Sequence, residues 1–267
     1  MIKNKKNFSE ASNKKNLVLM LSHLPGQEIA NFFSIREKEN IKAIYFEEKS
    51  TYSEFTLSKL KVDNDLVFYG KEILSDSQHI SWLKGQNIDF AITVYWPWLL
   101  SKEYLEVIND SINFHPALLP INRGWYPHVH SIIDGSPAGV TLHKISEGAD
   151  QGDIWVQKEI ILPFYKNVKE IYLMLQNEII NLFKDNWDLI SNGSIKTFSQ
   201  KESNSSYHSK KEIDKLDKIE FDKLTSKELY NLLRARSFGH KGFAYIEENG
   251  VKYFINMRIS ENSNFDN

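Results

Sequence analysis

Five short apolar runs mark the first half of the chain: LVLML (17–21), IKAIYF (41–46), DLVFYG (65–70), FAITVYW (90–96) and SINF (111–114). Each has the length of a strand and is bounded by polar or turn-forming residues. Between them the periodicity changes. In EIANFFSIREKEN, Ile29, Phe32 and Phe33 recur at helical spacing, and SQHISWLKGQN (77–87) and SKEYLEVIND (101–110) read as further helices. Strands apolar on both faces, alternating with helices, predict an α/β fold: an open, mostly parallel sheet covered on both sides. No GxGxxG follows the first strand, so nothing supports a dinucleotide site.

The second half reads differently. VKEIYLMLQNEIINLFKDNWDLIS (168–191) predicts one long amphipathic helix, stopped by NGS. SQKESNSSYHSKKE (199–212) is polar and reads as a linker. A helix over 225–235 and two strand-like runs around Asn249-Gly250 follow, and Asn-Gly between such runs is a strong hairpin signal. The expected organisation is a flexible tail at 1–16, a main domain at 17–198 and a small helix-plus-hairpin module at 207–267. The tail, MIKNKKNFSEASNKKN, is basic but has no apolar core, unlike a secretory signal.

Composition narrows the function classes. The 267 residues are 41% hydrophobic and 25% charged, with a formal net charge of −2, so there is no electrostatic case for nucleic acid as the main partner. There is no cysteine, which removes disulfides, thiolate chemistry and cysteine-ligated metal and fits a cytoplasmic protein. No apolar run approaches the ~20 residues that cross a bilayer, so no membrane partner is expected.

Chemistry-bearing residues are dense between positions 113 and 153: Asn113, His115, Arg123, His128, His130, His143, Asp150 and Asp153. SINFHPALLP ends an apolar strand in two polar side chains, and Pro116 and Pro120 then stiffen its exit. NRGWYP and IDGSPAG add turns, so these are loops on a rigid scaffold. A histidine exchanges protons near neutrality, an asparagine amide can hold a developing oxyanion, and an aspartate can orient an imidazole. Asn, His and Asp without Ser or Cys suit direct attack of an amine on an acyl group. The plainer reading is that Asn113 and His115 cap loop backbone. His128 and His130 are spaced for one face of a strand and resemble half of a metal site. Zinc usually needs three or four protein ligands, so no metal is expected. His143 falls on the solvent or cleft side of the strand GVTLHKI, and Trp96 and Trp98 read as core or interface aromatics.

Taken together, NFHPALLPINRG and PHVHSIIDGSPAGVTLHKISEGADQGDI resemble the formyltransferases that use 10-formyltetrahydrofolate, over residues from about 17 to 195. The hallmarks are N-x-H-P-x-L-L-P, R-G, G-V-T-x-H and D-x-G, with Asp150 lying 35 positions after His115. The resemblance implies an open Rossmann-type α/β sheet and a catalytic set of Asn113, holding the formyl oxygen, His115, acting as general base, and Asp150, assisting proton transfer. It places the folate between WPWLLS (96–101) and ISEGAD (145–150), hence at Trp98, Leu99, Leu100, Ile145, Glu147 and Asp150. The segment NRGWYPHVHSI and the tail LLRARSFGHKGFAYIEENGVKYF are similar to those of sugar N-formyltransferases. That implies acceptor contacts at Arg123, Gly124, Trp125, Tyr126 and His128, a homodimer, and a dTDP-linked amino-dideoxyhexose substrate used for O-antigen or other surface glycan. The 4-amino-4,6-dideoxyglucose derivative is favoured and the 3-amino isomers are the alternative. SHLPGQE after the first strand lacks the glycine-rich phosphate loop of glycinamide ribonucleotide transformylases. Residues 201–267 carry 12 Lys+Arg and 11 Asp+Glu, a balance of +1 that argues against a methionyl-tRNA formyltransferase. A non-catalytic folate- or nucleotide-sugar-binding protein is the remaining alternative.

Overall fold

The computed structural model describes residues 14–260. Most of the expected N-terminal tail, residues 1–13, lies outside them. Its last two residues do not extend the tail: Lys15 and Asn16 open strand β1 (Lys15–Leu21). The Asn16 amide donates to Asp89 Oδ2 at 2.8 Å, and its side chain reaches the carbonyls of Gln86 and Asn87, so polar residues are drawn into the ladder. Residues 17–21 are fully buried, as a strand covered on both faces must be.

The chain then alternates as the pattern predicts. Helix α1 (His23–Ser34), β2 (Glu39–Phe46), α2 (Thr51–Leu57), β3 (Val67–Tyr69), α3 (Ser77–Lys84) and β4 (Ile88–Val94) follow in order. The helix expected over 101–110 is one short piece, α4 (Lys102–Leu105), capped by Ser101. Strand β5 begins already at Ile108 and runs to His115. The reason is register. Ile88 pairs with Ile108, Ile92 with Ile112 and Val94 with Phe114, so the ladder with β4 captures the residues that helical spacing claimed. A two-residue strand β6 (Arg123–Gly124), helix α5 (Pro127–Asp134), β7 (Gly139–His143) and β8 (Ile154–Glu159) complete the central region.

The seven-stranded sheet has the order β3-β2-β1-β4-β5-β7-β8. It is parallel through β5, and β7 and β8 add an antiparallel edge. Chain order reverses beside β1, whose neighbours are β2 and β4, so the crevice for a ligand opens at the carboxyl ends of β1 and β4, with β5 next to them. Helix α6 (Val168–Ser191) has the bounds the periodicity predicts. It starts on an Asn167–Glu170 capping box and stops before Gly193, whose φ is +79°. Its buried Phe183 and Trp187 pack on Phe33 of α1. No helix among the described residues is long and apolar enough to cross a membrane.

Beyond α6 come β9 (Tyr207–His208), α7 (Ser226–Ala235), β10 (Ser237–Phe238), β11 (Lys241–Gly242), β12 (Tyr245–Glu248) and β13 (Val251–Phe254). Asn249 and Gly250 both take positive φ, as the tight turn joining β12 and β13 requires. Ile219, Leu232 and Ala244 form a small separate core, joined by Ile133 of α5. Val251, Tyr253 and Phe254 remain more than half exposed. The stretch 199–212, expected as a linker, is tied to the main domain. Strand β9 pairs in parallel with β6, and Gln200 Nε2 donates to the carbonyls of Asp150 and Gly152 at 2.8 and 2.7 Å.

Candidate active site

Sheet register assembles the centre of the site. Thr93 lies opposite Asn113 in the β4–β5 pairing, and Asn113 lies opposite His143 in the β5–β7 pairing. One row across three strands therefore reads Thr93, Asn113, His143. Thr93 Oγ1 donates to Asn113 Oδ1 at 2.7 Å, which fixes the amide so that its nitrogen faces His143 and Asp150. Asn113 Nδ2 lies 2.9 Å from His143 Nε2 and donates to Asp150 Oδ1 at 3.2 Å. His143 Nδ1 donates to the Lys144 carbonyl at 2.7 Å, so its Nε2 is the acceptor for the Asn113 amide.

His115, the last residue of β5, is 4% exposed. Its Nε2 is 3.0 Å from the Asn122 carbonyl. A carbonyl only accepts, so Nε2 carries the proton and Nδ1 is left with a lone pair. Nδ1 stands 3.5 Å from Asp150 Oδ1. Burial pushes the His115 pKa below the ordinary histidine value, against the opposing pull of Asp150. The ring is thus a neutral base whose protonated form would meet a carboxylate. Burial raises the Asp150 carboxyl, but His115, His143 and the Gly124 amide outweigh it and hold the group well below the usual carboxylate range. Gly124 N donates to Asp150 Oδ2 at 2.9 Å.

Asp150 itself has φ +54°, and His23, Tyr95, Asn122 and Tyr126 share this left-handed conformation. Four of these five, His23, Tyr95, Tyr126 and Asp150, line one crevice, and backbone held in this conformation by its surroundings is a usual companion of a functional site. Gly124 has φ +87°, and a Cβ there would stand 2.4 Å from the His208 carbonyl oxygen, so only glycine fits.

These residues lie against a cavity of about 1030 Å³. Trp98, Leu99, Leu100, Ile145, Gly124, Trp125, Tyr126 and His128 line it, together with Asn113, His115 and Asp150. Two expected site residues are placed elsewhere. Glu147 is exposed and stands outside the cavity wall. Arg123 is buried and also outside the wall. Its guanidinium is bonded to Gln200 Oε1 at 2.7 and 3.1 Å and to Glu202 at 2.7 and 3.0 Å, so it ties the 200–202 segment to β6.

His128 and His130 are not on a strand. Pro127 starts α5, and two residues along a helix turn the side chains to different faces. His128 faces the cavity with its ring 5.0 Å from Tyr172, and burial, then His130 and Arg236, pushes its pKa down to about 3. His130 turns away and stacks on His208, with centroids 3.5 Å apart. No group of three or more possible metal ligands occurs among the described residues.

Several contributors carry no sequence signal. Thr93 is recognisable only from the β4–β5 register. Lys210, Asp217, Arg236, Phe238 and Phe243 reach the cavity from the C-terminal part of the chain. Arg236 and Asp217 pair there at 2.5 and 3.0 Å, and Lys210 Nζ sits 4.7 Å from the Trp125 ring. His143 had a signal in its cleft-side position but no role attached to it.

The dTDP-4-amino-4,6-dideoxyglucose formyltransferase of Mycobacterium bovis is 31% identical over 150 residues, 55% of this chain and 63% of that protein. The chain thus spans somewhat under two thirds of that relative's length. A methionyl-tRNA formyltransferase of Fusobacterium nucleatum is 26% identical over 242 residues, 88% of this chain and 75% of that one. The fold is shared with a sugar N-formyltransferase from a Shewanella species, with TM-score 0.78, 21% identity and coverage of 92% of this chain and 98% of that one. A 4-N formyltransferase from Francisella tularensis shares it equally, with TM-score 0.78, 24% identity and the same coverage. Residues 212–261 match the N-formyltransferase dimerization C-terminal domain. Residues 10–179 match the formyl transferase family, and to that family this chain belongs.

Proposed function

We propose that this protein transfers the formyl group of 10-formyltetrahydrofolate to the amine of a dTDP-linked amino-dideoxy sugar. The favoured acceptor is dTDP-4-amino-4,6-dideoxyglucose, the 3-amino isomers are the alternative, and the product serves surface-glycan synthesis such as O-antigen. The observation that carries the reading is the convergence of Asn113, His115, His143 and Asp150 on one end of the sheet, against a cavity walled by both loops named for the folate. The function of the mycobacterial relative supports the acceptor class. The near-neutral balance of residues 201–267 speaks against a tRNA acceptor.

The residues suit the co-substrate. Trp96 and Trp98 meet edge-to-face at 5.0 Å beside the buried Leu100, with Ile145 in the same cluster, which gives the cleft apolar walls. Trp96 Nε1 is buried and has no hydrogen-bond partner among the described residues. When bound, 10-formyltetrahydrofolate supplies the formyl carbon. His115 Nδ1 takes the proton that the acceptor nitrogen loses as it bonds to the formyl carbon, Asp150 stabilises the imidazolium, and His115 returns the proton to the folate nitrogen as its bond to the formyl carbon breaks, releasing tetrahydrofolate. Asn113 exchanges its longer bond, the one to Asp150, for the formyl oxygen as negative charge develops there. Thr93 and His143 keep the amide in the orientation that presents its N–H groups. Strand β13, with Val251, Tyr253 and Phe254 exposed, is the element at which we place a homodimer contact.

The test is release of tetrahydrofolate from 10-formyltetrahydrofolate with a panel of dTDP-amino sugars. Turnover confined to amino-sugar nucleotides is expected, and lost in His115→Asn by roughly 10²-fold or more. Equal turnover of His115→Asn would remove the base from the mechanism.

A further inference from the structure

Asn122 is the joint between the proposed base and the C-terminal part of the chain. It is 1% exposed with φ +57°, and each of its polar atoms is engaged. Its carbonyl holds His115 Nε2 at 3.0 Å. Its backbone N–H donates to Ser206 Oγ at 2.8 Å. Its side-chain nitrogen donates to Ser131 Oγ at 2.8 Å and Ser136 Oγ at 3.0 Å. Its Oδ1 receives His208 Nε2 at 3.0 Å and Ser206 Oγ at 3.3 Å.

His208 is in turn fixed from three directions. Its Nδ1 lies 3.1 Å from Glu212 Oε2. His130 stacks on its ring at 3.5 Å with only 7° between the planes. Its carbonyl accepts from Trp125 N at 2.9 Å within the β6–β9 pairing. Glu212 is itself held by the amide and hydroxyl of Ser209, at 3.1 and 2.9 Å.

We propose that His208, braced by Glu212 and His130, is a positioning residue: it fixes Asn122 and, through the Asn122 carbonyl, the ring orientation of His115. The inference rests on the reading of His115 as the base. It makes chemistry conditional on the 206–212 segment being docked, and so couples the C-terminal module to the reaction without any of its residues touching the transferred group. Geometry is the reason. A near-attack arrangement tolerates little misplacement, and a shift of about 1 Å costs up to 10²-fold. Among the described residues His115 has one hydrogen bond to hold its ring, that to Asn122, beside the longer contact with Asp150.

Burial is the largest influence on the His115 pKa and lowers it; Asp150 raises it, His143 lowers it, the hydrogen bond that Nε2 donates to the Asn122 carbonyl raises it, and Arg123 lowers it. Loosening Asn122 therefore moves the His115 titration to lower pH, which gives a readout that loss of stability alone does not move. Two variants separate the cases. His208→Leu removes the donor to Asn122 Oδ1, and His208→Gln retains a side-chain N–H that can reach it. The measurements are the His115 imidazole titration by nitrogen-15 NMR, without substrate, and kcat and KM for both substrates.

With His208→Leu, His115 should titrate at lower pH, and kcat should fall about tenfold with both KM values within about twofold of wild type. His208→Gln should restore most of both. An unmoved His115 titration and an unchanged kcat in His208→Leu would overturn the proposal. If His208→Leu does not fold, Glu212→Gln carries the same test: a smaller shift in the same direction supports it, and no shift overturns it. The NMR readout needs no turnover. An inactive wild-type protein would refute formyl transfer while the positioning question is still answered.

Discussion

Replacing Asp150 with asparagine keeps the side-chain shape and removes its charge. The carboxylate stands 3.5 Å from His115 Nδ1. At that separation an imidazolium and a carboxylate attract by about 5 kcal/mol at an effective dielectric near 20, before the cost of desolvating both is deducted. If about half survives, the protonated base loses between 2 and 3 kcal/mol of stabilisation, roughly 10²-fold in rate. The direction in pH follows from the sign of the interaction. Asp150 raises the His115 pKa, so its neutralisation moves the acid limb of kcat/KM to lower pH while the plateau falls. The assay is the pH dependence of kcat/KM for wild type and Asp150→Asn with a saturating formyl donor. Thermal unfolding of both proteins controls for the lost acceptor of the Gly124 amide. Activity within about threefold of wild type, with an unmoved acid limb, would refute the assigned pairing.

Asn113→Ala should lower kcat by the equivalent of about 3 kcal/mol, with the dissociation constants of both substrates little changed, as equilibrium binding and steady-state kinetics together show. A raised dissociation constant at unchanged kcat would make Asn113 a binding residue instead. Burial holds the pKa of His128 at about 3 and that of His130 at about 4, both below the value near 6.5 that histidine has in an unfolded chain. Between those values the unfolded state binds more protons. Stability should therefore be full above about pH 6.5 and fall as pH drops toward 4. Denaturant titrations at a series of pH values should show a shallower slope for His130→Phe, and an identical slope would exclude that residue as a cause. A chelator such as EDTA should leave turnover unchanged, and loss of activity restored by zinc would reopen a metal role for the histidines of α5.

What could be read in the sequence was what local periodicity specifies. The run 17–21 must be buried on both faces, and the apolar stripe of α6 is long enough to dictate its own ends. Asn113 and His115 were legible because the strand that carries them ends in polar side chains followed by proline. Long-range pairing was not legible. Residues 108–110 have helical spacing but enter β5 because β4 offers a ladder in register. The polar stretch 199–212 has a linker's composition, yet its backbone pairs with β6 and its Gln200 and Glu202 hold Arg123. Arg123 followed the same logic in reverse. The resemblance places this cation, near the proposed base, against the acceptor, but its partners are 77 and 79 residues further along the chain. His143 reaches Asn113 only because β7 runs antiparallel to β5, which no local pattern announces.

Formyl transfer to an amino-sugar nucleotide is tested most directly with a carbon-13 label. The wild-type protein is incubated with 10-formyltetrahydrofolate labelled in the formyl carbon and an equimolar mixture of dTDP-4-amino-4,6-dideoxyglucose, a dTDP-3-amino-3,6-dideoxyhexose and methionyl-tRNA. The products are resolved by mass spectrometry and NMR. The expected result is the label in a formamide on the sugar, with the 4-amino compound labelled fastest and methionyl-tRNA unlabelled. Label on methionyl-tRNA, or on none of the three while the protein binds the folate, would contradict it.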